Sequence, residues 1–442
     1  MIETQKIKSF FPAISSGRII SNNAASTQIP VQLLDLLKDL NLQYENVHRG
    51  QSHASILTTE KFEASYDTIA QFISAPSRKN IVLYRNTTEA INSVMYSLMT
   101  EFKDGDNIVT TFMEHNSNYV PWYGLCKEIL PKFGINVEYK IAKFDKETGE
   151  IDLDHLKSLI NEKTKIVCCT GASNFLGTRN PIKEICKIAH SNEYIQPDGT
   201  KGAYFLVDGA QMVPNTFIDV EELDIDFLAW SFHKMIAPFG VGALYAKETI
   251  LNRMRPFLYG GDMIAEGQVS PEKVEYNVLP WKFAAGTPNI LGTILSAQAI
   301  RLLIDFSLNP GEYKYFLTNK KLEKSDIKNA MDNIEHHEQT LIGEALKLLG
   351  EIPSLKIYGP KNPADRTSLI AFTCANKSPF EIAEKLTELN IESRAGCHCA
   401  TLAHHFYGLT PPASCRLSFY MYNDLEDVKK ACSAVKNICL QK

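Results

Sequence analysis

The sequence predicts an α/β protein, a large domain on a mainly parallel sheet followed by a smaller α+β domain. Two observations predict it. Between about residues 80 and 245, short apolar β-rich runs alternate with amphipathic stretches, the pattern of parallel strands joined by crossover helices. From about residue 305 that alternation stops: Asn309-Pro310-Gly311 breaks it, and Lys320 to Asn329 is charged.

The first run, Ile81–Tyr84, reads as a strand, and Thr88–Met99 as the helix after it. The turn residues Asp104-Gly105-Asp106 introduce a second strand over Ile108–Thr111. Further strands are expected at Lys165–Thr170, Tyr204–Val207, Phe227–Trp230 and Gly242–Tyr245, with a helix over Ile182–His190. These strands are largely apolar, as strands buried on both faces are. Beyond the break, a long helix is expected from about 329 to 349, strands near Ser368–Thr373 and Arg416–Phe419, and helices over Pro379–Asn390 and Leu425–Ile438. The expected division is an arm over residues 1–20 lying on the small domain, a large domain over 21–300, and a small domain over 301–442. Glu193–Ala203, containing Pro197-Asp198-Gly199, reads as an inserted hairpin, and Leu308–Lys328 as a second insertion.

Composition narrows the function classes. Hydrophobic residues at 44% and charged residues at 22% are ordinary for a globular protein. A net charge of −5 gives no basic footprint for nucleic acid, so no nucleic-acid partner is expected. No apolar run reads as long enough to cross a bilayer, and Met1–Gly17 lacks the apolar centre of a secretory signal. A cytoplasmic location without a membrane partner is the expectation. The ten cysteines have no regular spacing and mostly sit in apolar runs, as Cys168 and Cys169 do. That fits free thiols in a reducing compartment.

Ligands of open parallel sheets bind at the carboxyl ends of the strands. Four groups follow strand ends here: Asn86-Thr87-Thr88-Glu89, Glu114-His115-Asn116, Asp208-Gly209-Ala210-Gln211 and Ser231-Phe232-His233-Lys234. Singly, each has a plain reading: Thr87 or Thr88 as a helix cap, Asp208 as a turn former, His115 and Lys234 as solvated side chains. Together they suit one ligand. Thr88 at a helix N-terminus, with Ser231 and His233, would hold a phosphate. Asp208 would keep a ring nitrogen protonated, His115 would lie on the ring, and Lys234 would form an imine with an aldehyde. That is the description of a pyridoxal 5′-phosphate site.

The motifs continue in order: Asn22 to Gln28, Val47-His48-Arg49-Gly50, Thr87 to Asn92, Glu114 to Asn118 with Pro121-Trp122, Ser173-Asn174 to Gly177-Thr178, Val207 to Gln211, Ser231 to Lys234 with Pro238 to Gly242, and Ala285 to Asn289. This series resembles the class V aminotransferase family, and within it the cysteine desulfurases of the second group and the selenocysteine lyases. The resemblance covers roughly residues 20–300 and 335–435. It implies a fold-type-I pyridoxal phosphate enzyme and a homodimer. It makes Lys234 the Schiff-base lysine, Asp208 the partner of the pyridine nitrogen, Gln211 the donor to the phenolic oxygen, and His115 the stacking and proton-moving group. Thr88, Ser231 and His233, with Thr87 nearby, match the phosphate cup, and Thr287 matches a residue reaching the phosphate of the other subunit. Asn174 and Arg416 match the residues that hold the substrate carboxylate, a task that suits a guanidinium.

The segment Ser393-Arg394-Ala395-Gly396-Cys397-His398-Cys399-Ala400 separates the activities. By resemblance, Cys399 is the sulfur acceptor that attacks the substrate thiol and keeps its sulfur as a persulfide, with Arg394 from the same motif. A sulfur-acceptor protein is then an expected partner, beside cysteine or selenocysteine as substrate. The residues themselves leave other readings open. Cys397 and Cys399 could bind a metal with His398, although no second ligand cluster is evident and no metal site is expected. They could be ordinary buried residues, or Cys397 could act as a resolving thiol. The alternative function is another class V enzyme, an aminotransferase, epimerase or C–S lyase, in which Cys399 is not the nucleophile. Phe232 stands where relatives have a small residue, and is expected to reshape the pocket.

Overall fold

The structure is a computed structural model and describes residues 2–441. Seven strands form the central sheet: β1 (Ile81–Tyr84), β2 (Asn107–Thr111), β3 (Glu138–Ala142), β4 (Thr164–Thr170), β5 (Tyr204–Asp208), β6 (Phe227–Ser231) and β7 (Gly242–Ala246). Their order is β1-β7-β6-β5-β4-β2-β3. Neighbours run parallel from β6 to β3, and β7 alone is reversed, pairing antiparallel with both β6 and β1.

The apolar runs that predict these strands are explained by burial on both faces. Ile166, Cys168, Leu206, Phe227 and Ala229 pack into one core, while Val167, Cys169, Val207, Leu228 and Trp230 pack into another. The alternation follows from successive side chains pointing to opposite sides of a strand. β1 has its expected bounds, β2, β4, β5, β6 and β7 each extend one residue beyond theirs, and helix Ile182–His190 lies where it is expected. Strand β3 escapes the sequence reading for a physical reason: it is the sheet's edge and mostly half-exposed, so Glu138 and Lys140 interrupt its apolar pattern.

A hairpin over β8 (Ile264–Val269) and β9 (Val274–Tyr276) is solvent-facing and equally hidden from periodicity. The insertion at 193–203 closes through an antiparallel bridge between Ile195 and Lys201. The second insertion is shorter than its sequence suggests. Residues from Lys324 already belong to the long helix, which runs to Gly350.

The second sheet holds β10 (Leu355–Tyr358), β11 (Leu369–Cys374), β12 (Arg394–Gly396) and β13 (Ser414–Ser418), antiparallel in the order β10-β11-β13-β12. The helices Lys324–Gly350, Pro379–Glu388 and Leu425–Leu440 bury their apolar residues against it. The N-terminal segment is fixed to this part by Lys8, whose amine meets Asp424 at 2.6 Å and Asp427 at 2.8 Å. Phe10 also stacks on Phe306, with centroids 4.9 Å apart.

Helix Ile290–Leu308 corrects one expectation. It spans 19 residues with a mean hydropathy of 1.4, enough by length and composition to cross a bilayer. It is instead a core helix, 89% buried, packed against helices His53–Phe72 and Lys324–Gly350. An apolar stripe all round a helix is what a fully enclosed position requires.

Candidate active site

Side chains from the carboxyl ends of β1, β4, β5 and β6 converge on one cavity of about 250 Å³. Thr87, Thr88, His115, Asn174, Asp208, Gln211, Ser231, His233, Lys234, Arg394 and Arg416 all line it. Of the sequence-predicted residues, Cys399 and Thr287 are not in its wall. Cys399 is one contact away, its sulfur 3.4 Å from the Arg394 guanidinium. Thr287 belongs to a separate cavity, with Gly240, Ala285 and Gly286.

The helix after β1 starts at Thr87, and its cap is Asn86, whose side-chain oxygen accepts the Glu89 N–H at 3.0 Å. The helix-cap reading of Thr87 and Thr88 is therefore overturned: Asn86 takes that task, worth about 1 kcal/mol, and both threonines are left to the cavity. Thr87 shares a hydroxyl contact of 2.6 Å with Ser231, and its backbone N–H donates to the Ser231 oxygen at 2.8 Å. β7 must approach this turn closely, since a Cβ on Gly242 would lie 2.6 Å from the Asn86 backbone. Hydroxyls and the positive end of the helix make this corner an anion cradle.

Ser117 is a site residue that the sequence reading passed over. Its hydroxyl bridges Thr88 at 2.8 Å and His115 Nδ1 at 2.7 Å. The available signal was its place, two residues after a histidine that caps the helix Asn116–Gly124. The Ser117 backbone N–H donates to His115 Nδ1 at 3.0 Å, so that nitrogen carries no proton and the neutral ring bears its hydrogen on Nε2. Burial, aided by the charges of Lys234, Arg394 and Arg416, lowers His115 to about 3, which keeps the ring neutral. Burial and Lys234 likewise lower His233 to about 4.

Glu114, beneath His115, is fully buried and accepts from Thr111 at 2.6 Å, Asn118 at 2.6 Å and the Thr170 N–H at 3.0 Å. Burial raises it to about 8. It ties the ends of β2 and β4 together behind the cavity.

Asp208 ends β5, buried, and accepts the Ala210 N–H at 3.0 Å. Burial raises its pKa, opposed by that hydrogen bond and by Lys234. Lys234 closes the single helical turn after β6 and has no ion-pair partner among the described residues. Burial lowers it to about 8; Asp208 opposes this, and Arg416 and Arg394 push it further down. Its neutral fraction is then about a tenth at pH 7 and about half at pH 8. Covalent capture of an aldehyde by the cofactor-free protein should therefore speed up about fivefold between those values and level off above. Stopped-flow absorbance measures this, and a log-linear rise continuing to pH 10 would contradict a depressed Lys234. The same shift makes folding stability rise between about pH 8 and the ordinary lysine value, where the unfolded chain binds more protons.

Arg416 sits on β13, buried, and donates to the Asn174 carbonyl at 2.7 Å and to Asn22 at 3.3 Å. Its Nε and the Asn174 Oδ1 have no partner among the described residues. One Asn174 amide N–H is taken by the His398 carbonyl at 2.6 Å. Gln211 donates to the Ala24 carbonyl at 2.7 Å. Phe232, contrary to expectation, does not line the cavity. It is fully buried and packs edge-on against Trp230, 5.9 Å between centroids, so the pocket wall is set by its neighbours.

The cysteine loop departs from ordinary backbone. His398 and Cys399 have φ of 52° and 57°, and Gly396 has φ of 116°. Consecutive non-glycine residues in the left-handed region cost on the order of 1–3 kcal/mol each and persist only where surroundings enforce them. Here the Asn116 N–H donates to the Cys399 carbonyl at 2.7 Å, and the Ala400 N–H to the Cys397 carbonyl at 2.7 Å. The His398 ring is buried and bonded to Ser414 at 3.0 Å, turned into the fold.

The donor set fits pyridoxal phosphate: an anion cradle of hydroxyls, a buried carboxylate, an unpaired amine with lowered pKa, and a guanidinium with its Nε free for a carboxylate.

The class-V aminotransferase family model matches residues 19–326 and 319–431. A cysteine desulfurase of Haloferax volcanii is 37% identical over 417 residues, covering 94% of this chain and 88% of its own. One from Escherichia coli O9:H4 is 34% identical over 440 residues, covering 98% and 97%. The solved apo structure of a cysteine desulfurase from Thermococcus onnurineus NA1 superposes with a TM-score of 0.85 at 29% identity, covering 99% of this chain and 98% of that one. A lysine, a carboxylate and a hydroxyl cradle meeting at one sheet edge have their counterpart in that agreement of sequence over nearly the whole length: the chain belongs to the class-V aminotransferase family, whose cofactor is pyridoxal phosphate.

Proposed function

We propose that this chain is a cysteine desulfurase, taking sulfur from L-cysteine onto Cys399 and releasing L-alanine. The observation that carries the reading is the placement of Cys399. Its loop is held left-handed beside Arg394, and Arg394 is itself in the wall of the Lys234 cavity. The relatives at 34–38% identity carry the same name.

In this reading Thr87, Thr88, Ser231 and His233 hold the cofactor phosphate, Asp208 its ring nitrogen, Gln211 its phenolic oxygen, and Lys234 its aldehyde carbon. Bound there, the cofactor supplies an electron sink for the substrate's Cα. Arg416, with Asn174, orients the substrate carboxylate; the partnerless Arg416 Nε supports this. His115 stacks on the ring and can donate a hydrogen bond from Nε2, and Lys234 would carry the Cα proton. Cys399 as thiolate attacks the substrate sulfur. The S–S bond forms as the substrate Cβ–S bond breaks, Cβ receives a proton, and the transferred sulfur stays on Cys399 as a persulfide. Arg394 holds the Cys399 sulfur in position through the same 3.4 Å contact. A selenocysteine substrate would bind the same way, but its selenium would leave without needing Cys399. An acceptor protein would then collect the sulfur from the loop.

The enzyme would work as a homodimer in a reducing compartment. Thr287 supports the dimer: it lies outside its own chain's cradle, in a stretch where Leu258, Tyr259, Val269 and Val278 are exposed. The ten unpaired cysteines support the compartment. We also propose domain limits at residues 20 and 300.

Incubation of the purified protein with L-cysteine tests the function. Alanine and sulfide should appear, with a mass increase of one sulfur on the peptide containing Cys399. Pyruvate release without that mass shift would favour a C–S lyase instead.

A further inference from the structure

A cluster of metal-type ligands lies at the amino ends of the central strands β5 and β6, opposite the Lys234 cavity. Cys186 and His190 are four residues apart on helix Ile182–His190, which puts them on one face. Asp224 faces them from the turn before β6, in the left-handed conformation with φ of 54°. We propose that Cys186, His190 and Asp224 form a binding site for a zinc-type divalent metal, with water in the fourth position.

The distances carry the proposal. Cys186 Sγ is 3.6 Å from His190 Nδ1, and His190 Nδ1 is 3.3 Å from Asp224 Oδ2. All three ligand atoms lie within 4.8 Å of one another. A tetrahedral zinc with ordinary Zn–S, Zn–N and Zn–O bonds separates sulfur from nitrogen by about 3.6 Å and nitrogen from oxygen by about 3.3 Å. The ligands therefore need little movement.

The outer shell is also in place. His190 Nε2 is 2.9 Å from Asp226 Oδ2, and Asp226 is fully buried and anchored by the Phe205 N–H at 2.8 Å. A carboxylate on the far imidazole nitrogen fixes the tautomer that presents Nδ1 to a metal. Lys247 bonds Asp224 Oδ1 at 2.7 Å and Asp226 Oδ1 at 2.8 Å, which holds both carboxylates while leaving Asp224 Oδ2 toward the histidine. Lys183 and Lys187 line the same cleft and oppose a cation, Lys183 being paired with Glu222 at 3.0 Å. Sulfur and nitrogen donors select zinc, cobalt or a similar ion over calcium or magnesium. Binding releases the Cys186 thiol proton and the His190 Nδ1 proton to solvent.

Phe205 stands at the amino end of β5, and Asp226 immediately precedes β6; the Lys234 cavity is at the carboxyl ends of these strands. The metal would thus clasp a helix to the sheet rather than join the chemistry.

The test uses the full-length, cofactor-loaded chain with Cys397→Ser and Cys399→Ser, so that the loop thiols cannot ligate. After chelation it is titrated with cobalt(II), read by the visible d–d absorption of a tetrahedral thiolate site, and then with zinc by calorimetry. One equivalent is expected, with zinc displacing cobalt. Cys186→Ala should abolish the cobalt spectrum, and Asp224→Asn should weaken zinc at least tenfold. In the otherwise wild-type chain, Cys186→Ala should leave cysteine turnover unchanged. No tetrahedral cobalt spectrum, or one that survives Cys186→Ala, would show a hydrogen-bonded cluster only. If Cys186→Ala fails to retain its cofactor absorbance, His190→Gln supplies the same comparison.

Discussion

Lys234→Ala should purify colourless, and its cysteine turnover should fall by at least the 10²–10⁴-fold that a positioned proton-transfer group contributes. The size of the effect follows from the environment of the amine. It is enclosed, has no ion-pair partner among the described residues, and is held near pH 8 by burial. Such a group is poised to be a neutral nucleophile and a proton carrier at working pH, and no other lysine among the described residues lines the cavity. The substitution should not unfold the protein. Removing a partnerless cation leaves no broken ion pair, and the turn after β6 keeps its Met235-to-Phe232 backbone hydrogen bond. Circular dichroism should match wild type while the visible band is missing. A yellow Lys234→Ala protein resistant to dialysis would mean that another amine holds the cofactor.

The strand-end residues were legible in the sequence because two simple signals coincide there. A strand buried on both faces must be an unbroken apolar run, and its first polar residues mark the carboxyl end where ligands collect. Asp208, Ser231, Thr88 and His115 are all found by that argument. What stayed hidden depends on contacts between distant segments. Edge strand β3 and the exposed β8–β9 hairpin lack an apolar run because one side meets water. Helix Ile290–Leu308 reads as apolar only when its full length is counted, and only packing tells a core helix from a membrane span. The capping role of Asn86, rather than Thr87, depends on which side chain reaches back to Glu89. Phe232 was misread because the sequence gives its neighbours but not the face toward which it turns. The left-handed pair His398 and Cys399 has no glycine to announce it; the strain is imposed by Asn174 and Asn116, each more than two hundred residues away in sequence.

That imposed loop sets the second large effect. Cys399→Ala should keep the visible band, since no atom of Cys399 lines the cofactor cavity, yet sulfide production from cysteine should fall on the order of 10³-fold. Cys397→Ser should retain most of it. The two thiols are two residues apart, but only Cys399 has a guanidinium at 3.4 Å, and only Cys399 has its backbone carbonyl pinned by Asn116 to the helix that starts beside His115. Cys397, half-buried like Cys399, has neither contact to aim its sulfur. Arg394→Ala should therefore imitate part of the Cys399→Ala loss while leaving the cofactor in place, because the sulfur loses the contact that positions it. Selenocysteine should still turn over in Cys399→Ala, because selenium leaves more readily than sulfur. Measuring sulfide, selenide and alanine in parallel across the three variants separates the cases. Full sulfide release by Cys399→Ala, or its loss in Cys397→Ser alone, would move the nucleophile off the strained residue and remove the functional reason for the strain.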